Sequence, residues 1–242
     1  MVRTVRIESY VLSKTTGEEK LLYGAITDTY NIEGYKIQQD HHTTDGFLFR
    51  QIFFSYDSQN RSIEEIDYLG NGSLRQKTSY TYDNYKKTAE AAFYQPDGCL
   101  SYRVVFRFDV DYDLNELIGF QATESFFYRA RVWVEAAQYD SSGSLIQKYT
   151  AVNKEDMREI THTREDSRGN LRTSEVKTIY IYNTNGKITG RHYSVNGTVL
   201  NRGESGDNVE QQSDVDSNGN WTKRAFSVGS DTQVEYRTIT YY

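Results

Sequence analysis

One short pattern recurs along this chain and restricts what it can fold into. An aromatic residue is followed by three turn-type residues, Gly or Asn, one variable residue and an aliphatic one. Tyr68-Leu69-Gly70-Asn71-Gly72-Ser73-Leu74 is one copy, and Tyr94-Gln95-Pro96-Asp97-Gly98-Cys99-Leu100 is another. Further copies begin at Tyr139, Tyr182 and Tyr193, with degenerate ones at Tyr30, Tyr56, Tyr82, Tyr112, Glu165 and Val215. Many copies start roughly 11–14 residues after the last, and Val152 to Arg158 sits midway in a longer gap as a worn copy. A dozen residues is one strand at about 3.3 Å per residue plus one turn. Each unit therefore reads as a strand ending in Tyr, a tight turn and the start of the returning strand. Gly72, Gly98, Gly143, Gly186, Gly197 and Gly219 are placed where such turns need a positive φ.

Composition fits sheets with thinly covered faces. Of the 242 residues 37% are apolar and 14% aromatic, with 21 Tyr and 11 Phe. Mean hydropathy is −0.75, so the chain lacks the aliphatic content for a broad sandwich, yet it has far too many aromatics for disorder. Tyr suits half-covered strands, with an apolar ring and a hydroxyl that reaches water. The reading is all-β: a repetitive antiparallel β-hairpin array, either an elongated single-layer sheet or a shallow β-superhelix.

The intervening segments alternate as half-buried strands do. Val104, Phe106, Phe108, Val110 and Tyr112 are expected on one face of a strand, with Arg103, Val105, Arg107, Asp109 and Asp111 on the other. Phe126 to Tyr139 is expected to be a long strand. Residues 1–25 and 201–214 are polar and less regular, and are expected to form an N-terminal cap and a loop. With no Pro- or Ser-rich linker, residues 1–242 read as one domain, with 26–242 carrying the repeats.

Tyr56-Asp57, Tyr82-Asp83, Tyr112-Asp113, Tyr139-Asp140 and Tyr182-Asn183 give a Tyr-Asp-x-x-Gly-x-Leu rhythm over most of residues 50–240. This rhythm resembles the YD repeats of the bacterial Rhs family. The stretch Asp216 to Arg224, with the closing Arg237-Thr238-Ile239-Thr240-Tyr241-Tyr242, is similar to endings of small secreted or lipid-anchored bacterial repeat proteins. The resemblance implies a β-hairpin array and a cell-envelope or extracellular setting. It implies no activity. Large members wrap a shell around a toxin, and this chain is too short for that.

Candidate chemistry is sparse. Asp214-Val215-Asp216-Ser217-Asn218-Gly219 opens like a calcium loop, with oxygens at positions 1, 3 and 5 and Gly at 6, but position 12 is Ala225. Asp214, Asp216 and Asn218 are therefore weak metal ligands, and a hairpin turn explains them equally well. Asp109, Asp111 and Asp113 read as a solvated acidic edge that resists strand addition. His41, His42, His162 and His192 are too scattered in sequence for a ligand set. Cys99 is the single cysteine, so no intrachain disulfide forms, and no His is spaced to activate it. Asn60, Asn71, Asn196 and Asn220 each head an Asn-x-Ser/Thr sequon that turn chemistry produces by itself.

The net charge of −6 argues against nucleic acid. No apolar run of about 18 residues marks a spanning helix, and Met1 to Glu8 has no signal-peptide apolar region. No cofactor is expected. The leading expectation is a non-enzymatic surface scaffold with an unidentified protein or glycan partner. A carbohydrate-binding module using exposed Tyr and Trp is the alternative, with Trp133 and Trp221 as candidate contacts. A glycoside hydrolase would need a converging carboxylate pair that nothing in the sequence singles out.

Overall fold

A computed structural model of the chain describes residues 1–12, 18–117, 132–153, 157–165, 171–182, 188–195, 198–200, 210–228 and 231–242. The fold is an all-β hairpin array. Its strands are β1 (Val2–Leu12), β2 (Glu19–Tyr30), β3 (Lys36–His42), β4 (Leu48–Tyr56), β5 (Ser62–Leu69), β6 (Leu74–Asp83), β7 (Thr88–Tyr94), β8 (Leu100–Phe108), β9 (Trp133–Asp140), β10 (Leu145–Asn153), β11 (Met157–Glu165), β12 (Leu171–Tyr182), β13 (Ile188–Val195), β14 (Thr198–Leu200), β15 (Glu210–Val215), β16 (Trp221–Val228) and β17 (Asp231–Tyr241). Among the described residues the helical content is one 3-10 turn, Leu114–Glu116.

Seven of the described turns follow one design, and the β6–β7 turn, with Lys87 at positive φ, departs from it. In Asn31–Tyr35, Thr43–Phe47, Asp57–Arg61, Leu69–Ser73, Gln95–Cys99, Asp140–Ser144 and Asp216–Asn220, the first N–H donates to the fifth carbonyl. The fourth N–H donates back to the first carbonyl. The fourth residue has positive φ: Gly34, Gly46, Asn60, Gly72, Gly98, Gly143 and Gly219. This is a type I turn closed by a left-handed residue in a bulge, which matches the right-handed twist of the strands. Four of the six glycines expected here are confirmed. Gly186 and Gly197 lie outside the described residues. The sequence also repeats at double length: Tyr30, Tyr56, Tyr82 and Phe108 are 26 residues apart, as are Gly46, Gly72 and Gly98.

The chain groups into two compact units, one of Met1–Tyr56, Glu65–Lys77 and Gly206–Tyr242, the other of Asp57–Glu64 and Thr78–Ser205. In the first, β15, β16, β17, β1, β2, β3 and β4 pair antiparallel in that order. Residues 1–25 are thus more regular than their polarity suggests. They supply β1, seated between β2 and β17, with Thr4 opposite both Thr29 and Thr240. Backbone pairing and hydroxyl-bearing cross-strand neighbours hold this strand where apolar alternation is weak. The expected loop 201–214 likewise contains β15, of which Glu210 to Asp214 pairs with β16. Buried residues described here include Val5, Ala25, Ile52, Phe54 and Val234.

In the second unit β7 to β14 pair antiparallel in chain order. Alternation builds a core on one face. Ala89 and Ala91 of β7 lie opposite Phe106 and Val104 of β8, small beside large. Phe106 in turn faces Ala136 of β9, and Phe108 faces Trp133. Ala151 and Ile160 extend the face, and Leu114 and Leu117 pack on it from the 3-10 turn. Each large side chain buried here contributes roughly 1.5–3 kcal/mol. The other face carries ion pairs, Arg103–Glu90 at 3.1 Å, Arg107–Glu135 at 3.3 Å and Lys148–Glu135 at 2.7 Å.

Strand β8 ends at Phe108, not at Tyr112. Clustered Asp109, Asp111 and Asp113 repel one another along a strand, and the chain turns instead, with the Tyr112 N–H donating to Asp109 O. Val110 is left 75% exposed. The three acids therefore sit in a loop rather than along a strand edge, and the degenerate copy at Tyr112 is no hairpin. Of the long strand expected over Phe126 to Tyr139, Trp133 to Tyr139 lies in β9, and residues 126–131 lie outside the described residues.

Candidate functional site

Two of the tyrosines before the turns are structural fasteners. Tyr56 at the end of β4 donates its hydroxyl to Lys36 O at 2.5 Å, and Tyr82 at the end of β6 donates to Ser62 O at 2.8 Å. Tyr242 does the same to Tyr30 O at 2.5 Å. Burial first, then the charge of Glu65, pushes the Tyr56 phenol up to about 12. Tyr56, Tyr68, Tyr82, Tyr94 and Tyr139 are all half-buried. The rings of Tyr182 and Tyr193 lie outside the described residues.

Carboxylates at the head of three turns act as caps, and Asn31 Oδ1 and Thr43 Oγ1 take the same place in two more. Asp57 Oδ1 accepts the N–H groups of Gln59 and Arg61 at 2.9 and 3.0 Å. Asp140 does so for Ser142 and Ser144, both at 2.9 Å. Asp216 accepts from Asn218 at 2.8 Å and Asn220 at 2.9 Å. Hydrogen bonds to the ionised form hold the Asp140 and Asp216 carboxyls below the usual range, the largest cause being the Ser142 hydroxyl for the first and the Tyr241 hydroxyl for the second. Tyr241 donates to Asp216 Oδ2, and the Asn220 amide donates to the Tyr241 oxygen at 2.8 Å. Of the weak metal candidates, then, Asp216 has both oxygens engaged, Oδ1 within the turn and Oδ2 by Tyr241 of β17. Asp214 stands in β15 opposite Lys223, and Asn218 is exposed on the turn.

A charged row crosses the first unit. Asp67, 6% exposed, receives a two-pronged bond from Arg50, both contacts at 2.9 Å, and a second guanidinium from Arg75 at 2.6 Å. Beside it His41 Nε2 meets Gln39 Oε1 at 2.9 Å, and the Gln39 amide donates to Asp28 at 2.8 Å. Because that amide nitrogen donates to Asp28, Gln39 Oε1 is the acceptor and His41 Nε2 carries the proton. Burial first, then the Arg50 charge, holds the His41 imidazole below its usual range, favouring the neutral ring. His162 stacks on Tyr149 with ring centroids 4.3 Å apart. The His192 side chain lies outside the described residues. Among the described residues no cluster of three or more His, Cys, Asp or Glu is placed to hold a metal ion.

The two tryptophans are both engaged. Trp133 is fully buried, edge-on to Phe106 with centroids 6.4 Å apart. Trp221 is half-buried, with the Arg224 guanidinium 4.3 Å and that of Arg237 5.1 Å from its ring centre. Cys99 is exposed, and the carboxylate of Asp97 raises its thiol pKa, which disfavours the thiolate. The sequons are turn elements: Asn60 supplies positive φ, Asn71 caps its turn, Asn220 ends one, and Asn196 lies outside the described residues.

Sequence reasoning missed one surface. Phe47 fills the fifth turn position, where the other turns carry a hydroxyl, thiol, amide or guanidinium (Tyr35, Arg61, Ser73, Cys99, Ser144, Asn220). It is 72% exposed, with Phe49 at 48% and Leu69 at 41% close by in sequence or pairing. The β3–β4 tip that carries it is gripped by two glycines. A Cβ on Gly24 would fall 1.4 Å from His42 O, and one on Gly70 2.0 Å from Leu48 O. Aligning the turns by position would have exposed this outlier.

No helix among the described residues is long and apolar enough to cross a membrane. No protein-family model matches the chain, and no curated protein matches it. Solved structures do. One is a porin-like protein from Bacteroides uniformis, with TM-score 0.43 and 12% identity over 97% of each chain. A protein of unknown function from Bacteroides fragilis is similar at TM-score 0.25 and 10% identity, covering 79% of this chain and 93% of that one. The Tc holotoxin pore of Photorhabdus luminescens is similar at TM-score 0.21 and 12% identity, over 94% of this chain and 14% of that chain.

Proposed function

We propose that the chain is a non-enzymatic β-hairpin scaffold of the cell envelope or cell exterior that engages a protein partner through its surface. One observation carries this reading: among the described residues, seven carboxylates are engaged in structure. Asp57, Asp140 and Asp216 cap turns, and Asp67, Glu90, Glu135 and Glu235 pair with arginines across strands. A hydrolase needs two carboxylates facing a shared reacting atom, and each of these faces a backbone N–H or a guanidinium. The resemblance of the Tyr-Asp turns to bacterial YD repeats supports the envelope setting. The gripped tip with Phe47 and Phe49 is the contact surface that the scaffold offers.

The experiment is retention of purified envelope proteins on the immobilised chain, with a glycan array and chromogenic glycosides run beside it. The parent retains a discrete protein and the Phe47→Ser/Phe49→Ser variant does not, while array and glycosides stay blank. Array binding would replace this reading with a carbohydrate module, and glycoside turnover would replace it with an enzyme.

A further inference from the structure

Two of the seven turns lack a capping side chain at their head, where the others carry Asn31, Thr43, Asp57, Asp140 and Asp216. In Leu69–Ser73 and Gln95–Cys99 the cap comes instead from the third position. Asn71 Oδ1 accepts the Ser73 N–H at 3.0 Å and its hydroxyl at 2.7 Å. Asp97 Oδ1 accepts the Cys99 N–H at 2.8 Å. The turns share their backbone hydrogen bonds and stand 26 residues apart, so an amide oxygen and a carboxylate oxygen perform the same task at equivalent places. Asn71 is exposed and is followed by Gly72, which has no side chain to keep its nitrogen from the Asn71 carbonyl carbon.

We propose that Asn71 is a self-modification site gated by its own hairpin. The Gly72 nitrogen attacks Asn71 Cγ, the new N–C bond forms, and the Cγ–Nδ2 bond breaks. Ammonia leaves, carrying the proton lost from Gly72, and a cyclic imide remains. Water then opens either imide carbonyl, giving an aspartyl or an isoaspartyl residue; the net change is one water consumed and one ammonia released. In the closed turn the Gly72 N–H is held by Leu69 O at 2.8 Å, and Asn71 Oδ1 is held by Ser73. The reaction therefore runs through local opening of the β5–β6 hairpin, and its rate reports that opening. The aspartyl product re-forms the turn, because it caps as Asp97 does. The isoaspartyl product inserts a methylene into the backbone and cannot close both turn bonds.

The test is prolonged incubation of the full chain at mildly alkaline pH, native and in urea, with peptide mapping of residue 71 and melting curves for Asn71→Asp and Asn71→Ala. Conversion in native buffer is expected to be roughly tenfold or more slower than in urea. Asn71→Asp should melt with the parent and Asn71→Ala below it. Equal conversion rates in the two conditions overturn the gating. No conversion in urea overturns the site. An Asn71→Asp chain that melts as low as Asn71→Ala overturns the equivalence with Asp97.

Discussion

Tyr82 donates its hydroxyl to the carbonyl of Ser62 at 2.8 Å, across 20 residues of sequence, and Tyr56 repeats the bond to Lys36 at the same separation. A shift of 26 residues carries one pair onto the other. Ser62 is fully buried, so its carbonyl has little access to water and depends on this phenol. Tyr82→Phe should lower stability by about 0.5–1.5 kcal/mol, the net value of one such bond. Tyr82→Ala should cost more, since it also removes the ring beneath the Arg61 guanidinium, 4.4 Å from its centre. Urea denaturation of the two variants checks the order. Equal midpoints for parent and Phe variant would deny the fastener role.

Alkaline pH should act on Tyr56 in one window. Its folded pKa of about 12 lies above the ordinary unfolded value of about 10. A raised folded pKa means that the neutral phenol stabilises the fold fully below pH ~10, and that this contribution is lost as pH rises through about 12. Urea midpoints against pH for the parent and Tyr56→Phe should therefore converge across that interval. Curves that fall in parallel would show that the phenol is not held as a donor.

Two neighbouring glycines should respond to the same substitution for different reasons. Gly72 has φ +81 and nothing within 4 Å of an added Cβ, so Gly72→Ala costs only the left-handed backbone strain, roughly 1–2 kcal/mol. Gly70 has no positive φ, but its added Cβ would meet Leu48 O at 2.0 Å. That neighbour is backbone and cannot swing away, so Gly70→Ala should be the worse variant, roughly 1–3 kcal/mol or more. Thermal melts of the pair decide, and the reverse order would mean that the strands yield easily there.

The turns were legible because their chemistry is local: a residue with positive φ and a capping side chain lie within five positions of each other. The buried Asp67 was not. Its partners Arg50 and Arg75 lie 17 and 8 residues away, and only the register of three strands brings them together. The place of β1 was hidden for a related reason, since a Thr opposite Thr29 and Thr240 leaves no apolar period to read. The end of β8 was misread because alternation alone ignores the mutual repulsion of Asp109, Asp111 and Asp113. The exposed Phe47 was overlooked because a single aromatic in an aromatic-rich chain stands out only against its turn position.

Calcium should leave the fold unaffected. A ligand that binds the native state raises the melting temperature with concentration, and the loop-like run Asp214 to Gly219 has the turn Asp216–Asn220 in its place. Asp216 already accepts two backbone N–H groups and the Tyr241 hydroxyl, so binding would require the turn to be dismantled. Melting curves with millimolar Ca²⁺ and with EDTA should superimpose. A dose-dependent rise with Ca²⁺ would show that Asp214, Asp216 and Asn218 do form a site.

The tryptophans separate the scaffold reading from a sugar-binding one. Trp133 is fully buried against Phe106, so Trp133→Ala should cost about 3–5 kcal/mol. Trp133→Phe, which keeps an aromatic ring in the core, should cost less and leave a folded chain to assay. Two guanidiniums lie 4.3 and 5.1 Å from the Trp221 ring centre; each cation–π contact at a partly exposed place is worth about 0.5–1 kcal/mol. Trp221→Ala should therefore lower the melting temperature modestly. On a glycan array the scaffold reading expects parent, Trp133→Phe and Trp221→Ala to be equally blank. A sugar-binding face at Trp221 makes the opposite claim: the parent binds, Trp221→Ala does not, and stability hardly moves. Paired melting and array measurements on the same three chains therefore distinguish a tryptophan held for packing from one held open for a ligand.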